Sequence, residues 1–275
     1  MGKSEVTPYW SQDGITIYLG DCLDIMPKLA PVKHVITDPP YEEQAHTKGR
    51  RRAVGTVRSG NANVGWKGRG GETRIEVLPF AAITETLRSR SAYEIARLAQ
   101  AWALVFCQAE AAHIWDRELQ RGGHTSRRWC VWIKPDGQPQ FSGDRPGVGY
   151  ETIVTTHTKG RSVWNGGGRV GVFNFIKNVS GSKRPQYHPT EKPLLLMREL
   201  VRLFTNEGDT ILDPFMGSGS TLVAAKSLGR KAIGIELSKD WCDIAITRLT
   251  SRQGSIIMAD KKADVLKERG YKPLI

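Results

Sequence analysis

The sequence predicts an α/β protein whose strands lie mostly parallel in a doubly wound sheet. Two apolar-rich runs, 34–37 and 210–212, each end in an acidic residue and a sharp turn, with Asp38 after the first and Asp213 after the second. The second turn continues into a stretch of small residues, 217–219, and then into a predicted helix. Acids and small residues that follow strands in this way are typical of the carboxyl edge of a parallel sheet, where such folds bind ligands.

The other elements follow from the spacing of apolar, β-branched and aromatic residues along the chain. Two runs rich in such residues, 129–135 and 151–156, predict an antiparallel hairpin that closes one edge of the sheet. The remaining predicted elements are a strand at 15–19, a helix or helix pair at 80–100, a buried strand at 102–106, and helices at 109–120 and 192–203.

The length and composition favour an enzyme-sized domain rather than a membrane or disulfide-rich protein. A chain of 275 residues can bury a full core; its length allows one or two domains, and we expect a single one, residues 1–275. No run approaches the roughly 18 apolar residues of a membrane span, and no signal peptide opens the chain. The four cysteines are scattered, so no zinc site, other metal site or disulfide framework is indicated. We therefore expect a cytoplasmic protein with no membrane partner.

The tetrapeptide Asp38-Pro39-Pro40-Tyr41 suits the activation of an amine on an aromatic base. Such an amine is a poor nucleophile, because its lone pair is delocalised into the ring. Hydrogen-bond acceptors at both amine hydrogens favour the nucleophilic form and stabilise the positive charge that develops on methylation. Asp38 and the Pro39 carbonyl can supply these acceptors, and consecutive prolines hold them rigid. Stacking on Tyr41 would contribute about 1–3 kcal/mol. The alternative is an ordinary turn after a strand.

The segment from Asp213 to Thr221 allows a ligand to approach the backbone closely. Small residues before a helix N-terminus favour a carboxylate or phosphate beside them. A nicotinamide-binding loop would need a third glycine where this chain has Leu222, and the Gly-Lys-Ser/Thr of a P-loop is absent. The pattern therefore suits the carboxylate and amine of a methionine group, with Asp213 on the amine side. Glu236 ends the next strand, where an acid can bind a ribose diol.

The first motif resembles the catalytic tetrapeptide of DNA amino-methyltransferases, and the second resembles their S-adenosylmethionine loop. With the catalytic motif first, the arrangement resembles the beta class of that family. The resemblance implies a circularly permuted, doubly wound class I methyltransferase fold with an antiparallel edge hairpin. It implies transfer of a methyl group from S-adenosylmethionine to N6 of a flipped adenine at a specific DNA site. N4-cytosine methylation is the alternative, because Asp at the first catalytic position favours adenine only imperfectly.

The resemblance also implies a set of cofactor-binding residues. An acid at the end of the first strand meets the adenine amine of the cofactor, a role that falls on Asp21 with Cys22 beside it. A helix N-cap is the structural alternative for Asp21. The segment 188–193 resembles one that closes over the methionine end, although Thr190 also suits a helix cap. The cofactor-binding residues implied are Asp21, Cys22, Asp38, His188, Thr190, Lys192, Asp213, Pro214, Phe215, Gly217, Ser218, Gly219, Ser220, Thr221 and Glu236.

Two basic segments are candidates for contact with double-stranded DNA. The net charge is +12, and neither 44–71 nor 152–190 contains an aspartate or a glutamate. Both segments mix cations with aromatic residues, as a nucleic-acid groove does. We expect 42–77 to form a flexible basic loop that folds against DNA. The DNA-contact candidates are Arg50, Arg51, Arg52, Arg58, Trp66, Lys67, Arg69, Arg161, Trp164, Arg169, Lys183 and Arg184.

Target recognition is the least complete part of the pattern. The separate recognition domain usual in the family would lie within 160–187, where fewer than thirty residues are available, so a short insertion must share the task with 42–77. Members of the family often form homodimers and accompany restriction endonucleases, but the sequence identifies neither an interface nor such a partner. A non-catalytic DNA-binding protein is a further alternative, and it leaves Asp38 without a role.

Overall fold

A mixed β-sheet forms the centre of the structure, a computed structural model that describes residues 6–41, 82–137, 146–176 and 191–251. Along the sheet the strands follow the order β1-β2-β10-β9-β3-β4-β7-β6-β8, and the short β5 pairs with β7. The strands are β1 (Trp10–Gln12), β2 (Ile15–Leu19), β3 (His34–Thr37), β4 (Trp102–Cys107), β5 (Thr125–Ser126), β6 (Cys130–Ile133), β7 (Tyr150–His157), β8 (Val172–Asn174), β9 (Thr210–Asp213) and β10 (Lys231–Glu236).

Helices cover both faces of the sheet. One apolar cluster joins α1, α2 and α3 to one face, and a second joins α4, α5 and α6 to the other. The helices are α1 (Cys22–Ile25), α2 (Glu85–Leu98), α3 (Ala109–Arg121), α4 (Leu194–Phe204), α5 (Ser220–Ser227) and α6 (Lys239–Thr250). Strands covered on both sides read as continuous buried runs, which is why every residue of β3 and β4 is buried. None of the helices in the described ranges is long and apolar enough to cross a membrane.

The five central strands, β2, β10, β9, β3 and β4, run parallel, which confirms the predicted doubly wound α/β sheet. From β3 the chain continues to β4, its neighbour on one side. From β9, which is the neighbour of β3 on the other side, the chain continues to β10, away from β3. The point where the order reverses therefore lies between β3 and β9, and this is where open α/β sheets bind ligands. Two motifs 175 residues apart, after Asp38 and after Asp213, thus meet at one edge of neighbouring strands.

One detail of the predicted sheet was wrong. The hairpin of β6 and β7 is present, but β7 is also paired antiparallel with β4, and β6 is paired parallel with β8. The edge strand is therefore β8, which comes from the segment 160–187 that the sequence indicated as a recognition insertion. Phe173 explains this placement, because its fully buried ring joins the core while its two neighbours in β8 are exposed.

Candidate active site

Asp38 and Tyr41 lie beside a buried lysine that the sequence pattern had associated with the cofactor. The Nζ atom of Lys192 forms an ion pair with Oδ2 of Asp38 and donates a 3.3 Å hydrogen bond to the hydroxyl of Tyr41. The same atom lies 3.3 Å from Oε2 of Glu151 and 5.4 Å from the centre of the Tyr41 ring. The ammonium of Lys192 therefore contacts the tetrapeptide 38–41, and its predicted contact with a cofactor stays a prediction.

A second lysine extends this contact into a row of alternating charges. Lys134 follows β6 and forms an ion pair with Oε1 of Glu151, whose backbone lies in β7. The side chains of Lys192, Glu151 and Lys134 are each less than a tenth exposed, whereas that of Asp38 is 24% exposed. The row Asp38, Lys192, Glu151 and Lys134 carries two charges of each sign, so the cluster is neutral while all four groups are ionised.

Burial and the neighbouring charges set the protonation states of this row. Burial acts to lower the pKa of Lys192, but the carboxylates of Asp38 and Glu151 outweigh it, so that pKa is raised. Burial acts to raise the pKa of Glu151, but the ammonium groups of Lys192 and Lys134 hold it at about 2. Burial raises the pKa of Tyr41, and the nearby carboxylates raise it further. At neutral pH the site therefore holds a cationic lysine, an anionic Glu151 and a neutral phenol.

The two oxygens of Asp38 have different surroundings. Oδ2 accepts from Lys192, whereas Oδ1 is buried and has no hydrogen-bond partner among the described residues. A buried acceptor without a donor is costly, and such groups in native proteins commonly mark functional positions. Burial raises the pKa of Asp38, an effect that the charge of Lys192 opposes. Oδ1 is thus an acceptor that a ligand with an N–H group can satisfy.

Asp213 ends β9 beside β3, with its carboxylate held by protein donors. Its Oδ1 accepts from the hydroxyl of Thr37 at 2.7 Å and from the backbone N–H of Phe215 at 3.1 Å, and its Oδ2 accepts from the hydroxyl of Thr221. Asp213 is only 3% exposed, and burial raises its pKa to about 6 despite these hydrogen bonds. Asp213 thus connects the two strand ends, and its direct contact with a ligand amine stays a prediction.

The glycines after Asp213 shape the loop that precedes α5. Gly219 has a φ of 79°, in the left-handed region, and a Cβ atom at this position would lie 2.9 Å from Cβ of Ala245. Both facts favour glycine there. Among the described residues, no atom lies within 4 Å of the position that a Cβ of Gly217 would take. Glu236 accepts from the backbone N–H of Gly217 at 3.0 Å and from that of Ser238 at 2.9 Å, so it lies beside the loop at the end of β10.

Leu222 fills the space that a nicotinamide-binding fold gives to a third glycine. Its side chain packs above Gly234 in β10, where an added Cβ would lie 2.8 Å from Cδ2 of Leu222 and 2.3 Å from Sδ of Met216. In dinucleotide-binding folds the third glycine of the loop permits close packing of helix on strand. Here the glycine, Gly234, lies in β10, and the large side chain, Leu222, lies in α5. This exchange supports the sequence argument against a nicotinamide site.

Arg248 contacts residues of the segment 213–221, the cofactor loop that the sequence predicts. The sequence pattern did not reveal this contact. Its guanidinium donates to the backbone carbonyl of Ser218 at 2.7 Å and to the hydroxyls of Ser218 and Ser220. It also forms a 2.6 Å ion pair with Glu191, whose carboxylate lies 3.3 Å from the hydroxyl of Ser220. Arg248 lies in the last turn of α6 with its side chain buried, and an arginine at such a position carries no local sequence signal of burial.

The other predicted cofactor contacts have the following positions. Oδ1 of Asp21 accepts from the backbone N–H of Leu23 at 2.8 Å, so Asp21 is the N-cap of α1, as the alternative prediction for this residue stated. The preceding Gly20 donates to the carbonyl of Glu236 at 2.9 Å, which places Asp21 near that strand end. Cys22 is buried, and burial raises the pKa of its thiol to about 12. Residues His188 and Thr190 lie outside the described ranges.

Few of the predicted DNA-contact residues are described, and two of these have protein partners. The Trp164 ring packs edge-on against Phe204, with ring centres 5.0 Å apart, and its Nε1 donates to the Gly167 carbonyl at 2.8 Å. Trp164 is therefore partly buried against the core, and its predicted contact with DNA stays a prediction. Arg169 forms an ion pair with Glu199. Arg161 is exposed, and the other candidates lie outside the described residues: Arg50, Arg51, Arg52, Arg58, Trp66, Lys67, Arg69, Lys183 and Arg184.

Comparison with known sequences supports the resemblance. A family model described as DNA methylase (N6_N4_Mtase) matches residues 158–247, which include Lys192, the cofactor loop and Glu236. The Type II methyltransferase M.HpaI of Haemophilus parainfluenzae is 35% identical over 153 residues, which are 49% of this chain and 48% of that protein. M2.DpnII of Streptococcus pneumoniae is 53% identical over 62 residues, 22% of this chain and 23% of that protein. The matches thus span half or less of these relatives.

Comparison with solved structures covers more of the chain. The crystal structure of an M1.HpyAVI–SAM complex matches 86% of this chain and all of that chain, with a TM-score of 0.64 at 24% identity. The cytosine-N4-specific PvuII DNA methyltransferase matches 94% of this chain and 95% of that chain, with a TM-score of 0.66 at 14% identity. The predicted methyltransferase fold is thereby confirmed. In sequence, residues 158–247 are similar to the DNA methylase family, and in fold the chain is similar to DNA methyltransferases.

Proposed function

We propose that the protein is a Type II DNA methyltransferase that transfers a methyl group from S-adenosylmethionine to N6 of adenine. The observation that carries this proposal is the buried Oδ1 of Asp38, an acceptor without a donor among the described residues, at the end of a strand beside the cofactor loop. The match of residues 158–247 to the DNA methylase family model and the names of the relatives, which are Type II methyltransferases, support the reaction class.

The residues of the tetrapeptide divide the work on the base amine. Oδ1 of Asp38 accepts one amine hydrogen, and the backbone carbonyl of Pro39 accepts the other. Together they stabilise the positive charge that develops on the nitrogen, an electrostatic contribution that commonly amounts to several kcal/mol when donors and acceptors are preorganised. The ring of Tyr41 provides a stacking surface for a base that has left the duplex. The ammonium of Lys192 lies over one face of that ring, so the base is proposed to stack on the opposite face.

The loop after β9 fits the proposed cofactor. S-adenosylmethionine, when bound, supplies an activated methyl group on a sulfonium, so no covalent enzyme intermediate is needed. The left-handed Gly219 and the open side of Gly217 let a ligand approach the backbone before α5. Glu236, which lies beside Gly217, is the proposed acceptor for a ribose diol, and Asp21 lies at the neighbouring strand end. The other proposed contacts are Cys22, His188, Thr190, Lys192, Pro214, Phe215, Ser218, Ser220 and Thr221.

Adenine is proposed over cytosine because, in the family that the chain resembles, Asp at the first catalytic position favours adenine, and Asp38 occupies that position here. N4-cytosine methylation is the second candidate, favoured by the likeness of the fold to the cytosine-N4-specific PvuII enzyme. The chemistry is the same in both cases, since each target is an exocyclic amine with two hydrogens. The choice between them therefore depends on the pocket around Tyr41 and on the recognition segments.

The proposed substrate is tested with S-adenosylmethionine that carries a labelled methyl group. Incubation of the purified chain with double-stranded DNA, RNA and an acid-precipitable control protein is expected to label the DNA alone. Incorporation into RNA in preference to DNA would contradict the proposal. Tight DNA binding with no incorporation would favour the non-catalytic DNA-binding alternative.

The basic segment 42–77 is proposed to contact DNA phosphates. Neutralising Arg50, Arg51 and Arg52 together is expected to weaken DNA binding and to lower the salt dependence, by about 0.9 in the log–log slope for each lost phosphate contact. The affinity for S-adenosylmethionine is expected to stay unchanged. Fluorescence anisotropy with a labelled duplex at several salt concentrations measures the slope.

The matched control for this prediction removes charges elsewhere on the surface. Arg117 and Arg121 pair with Glu118 on α3, and their side chains are 57% and 67% exposed. Their replacement with glutamine lowers the net charge without touching the basic segment, and it should leave the slope close to that of the wild type. A triple arginine variant with the wild-type slope would show that the run is merely solvated.

A further inference from the structure

Two consecutive residues connect the cofactor loop to the catalytic carboxylate. The carboxylate of Glu191 pairs with Arg248, which holds the backbone of the cofactor loop. The next side chain, Lys192, points to Asp38 at the end of β3. Because neighbouring residues in an extended segment point to opposite sides, one dipeptide can contact both halves of the site. This arrangement gives Lys192 a place beside the reacting group rather than beside the cofactor alone.

We propose that Lys192 is a positioning residue, which holds Asp38 by Oδ2 and so reserves Oδ1 for the reacting amine. This inference rests on the proposed methyl transfer to a base amine. A carboxylate can turn about its Cβ–Cγ bond, and its two oxygens are chemically equal until a partner distinguishes them. The ion pair to Lys192 makes this distinction, because Oδ2 has a donor and the buried Oδ1 has none among the described residues.

Three groups fix the ammonium of Lys192 in this position. It contacts Oδ2 of Asp38, the hydroxyl of Tyr41 at 3.3 Å and Oε2 of Glu151 at 3.3 Å, so each of its hydrogens has a polar atom nearby. Lys134 holds Glu151 from the other side. Such support restricts the motion of a catalytic group, which is the usual reason for a buried network behind a reacting carboxylate. Glu151 is therefore a second positioning residue, acting through Lys192.

The inference predicts a specific pattern of loss and rescue. Lys192 can only donate hydrogen bonds, so in Asp38→Asn it should bind the oxygen of the asparagine amide. The NH₂ group of that amide then faces the base amine, and these two donors repel each other. In Asp38→Asn combined with Lys192→Gln, the glutamine NH₂ can donate to Glu151 and its carbonyl can accept from the asparagine NH₂. The asparagine oxygen then faces the base amine again. Lys192→Met offers no acceptor and is the matched control.

Single-turnover rates of methyl transfer to DNA test this pattern. Asp38→Asn is expected to lower the rate by about 100-fold or more, the scale of a lost transition-state contact. The double variant with glutamine is expected to be at least about tenfold faster than Asp38→Asn, which corresponds to about 1.4 kcal/mol. The double variant with methionine should show no gain. Thermal melting and calorimetric affinity for S-adenosylmethionine establish that each variant is folded and binds cofactor.

The outcomes separate this inference from the proposed function. A double variant with glutamine that is no faster than Asp38→Asn would overturn the positioning role, and so would a Lys192→Met enzyme with the wild-type rate. If the methionine variants do not fold, the comparison of Asp38→Asn with the glutamine double variant still decides the question. Absence of methyl transfer by the wild type, or full activity of Asp38→Ala, would instead overturn the proposed function.

Discussion

Replacement of Asp38 with alanine is expected to lower the single-turnover rate of methyl transfer to DNA by about 100-fold or more. The variant loses the buried Oδ1 acceptor, so the amine loses one of the two groups that make it nucleophilic. It also leaves the cation of Lys192 beside the reacting nitrogen, where it opposes the positive charge that develops there. Rapid-quench measurement with excess enzyme over a DNA duplex gives the rate of the chemical step.

Two controls make this prediction specific. The affinity of Asp38→Ala for S-adenosylmethionine should remain within a few-fold of the wild type, because the loop after β9 is unchanged. Asp240→Ala removes an exposed carboxylate in the first turn of α6 and should leave the rate unaltered. An Asp38→Ala enzyme that retains the wild-type rate would remove Asp38 from the reaction.

Replacement of Arg248 with methionine is expected to lower the free energy of unfolding by about 3–5 kcal/mol, the scale found when one partner of a buried ion pair is removed. The change takes the cation away from buried Glu191 and takes a donor away from the backbone carbonyl of Ser218. Because Ser218 and Ser220 belong to the proposed cofactor loop, the affinity for S-adenosylmethionine should fall by about tenfold or more, equivalent to about 1.4 kcal/mol. Urea unfolding and calorimetry measure the two effects.

Arg202 provides the matched control on the same face of the sheet. Its side chain is 50% exposed and pairs with Glu199 on α4. Exposed pairs of this kind contribute about 0–1 kcal/mol, so Arg202→Met should change stability by no more than that and leave cofactor affinity unaltered. A loss below about 1 kcal/mol in Arg248→Met, with normal cofactor affinity, would show that the arginine does not hold the loop.

The sequence predicted the parallel part of the fold well, because strands buried on both faces leave a local signal. An apolar-rich run identifies β3 and a continuous apolar run identifies β4, and an acid with a turn lies at the end of both β3 and β9. The juxtaposition of Asp38 and Asp213 follows from parallel strands that share a carboxyl edge. Such inferences need only the local pattern and the general rules of parallel sheets.

The contacts that the sequence did not reveal depend on pairing between distant segments. Lys134 and Glu151 form an ion pair because β6 and β7 bring them together, yet a lysine or glutamate in a strand normally reads as a solvated residue. Lys192 was assigned to the cofactor on resemblance alone, and only the fold shows its contact with Asp38. The edge strand β8 has three residues, of which one is buried, too little for a periodic signal.

The central claim, methylation of adenine at N6 in DNA, is tested most directly by mass spectrometry of nucleosides. DNA is incubated with the protein and with S-adenosylmethionine that carries a deuterated methyl group, then digested to nucleosides and compared with authentic standards. The account predicts labelled N6-methyl-2′-deoxyadenosine, which Asp38→Ala should form about 100-fold or more slowly. Labelled N4-methyl-2′-deoxycytidine as the main product would contradict the adenine assignment. Absence of any labelled nucleoside would contradict the account as a whole.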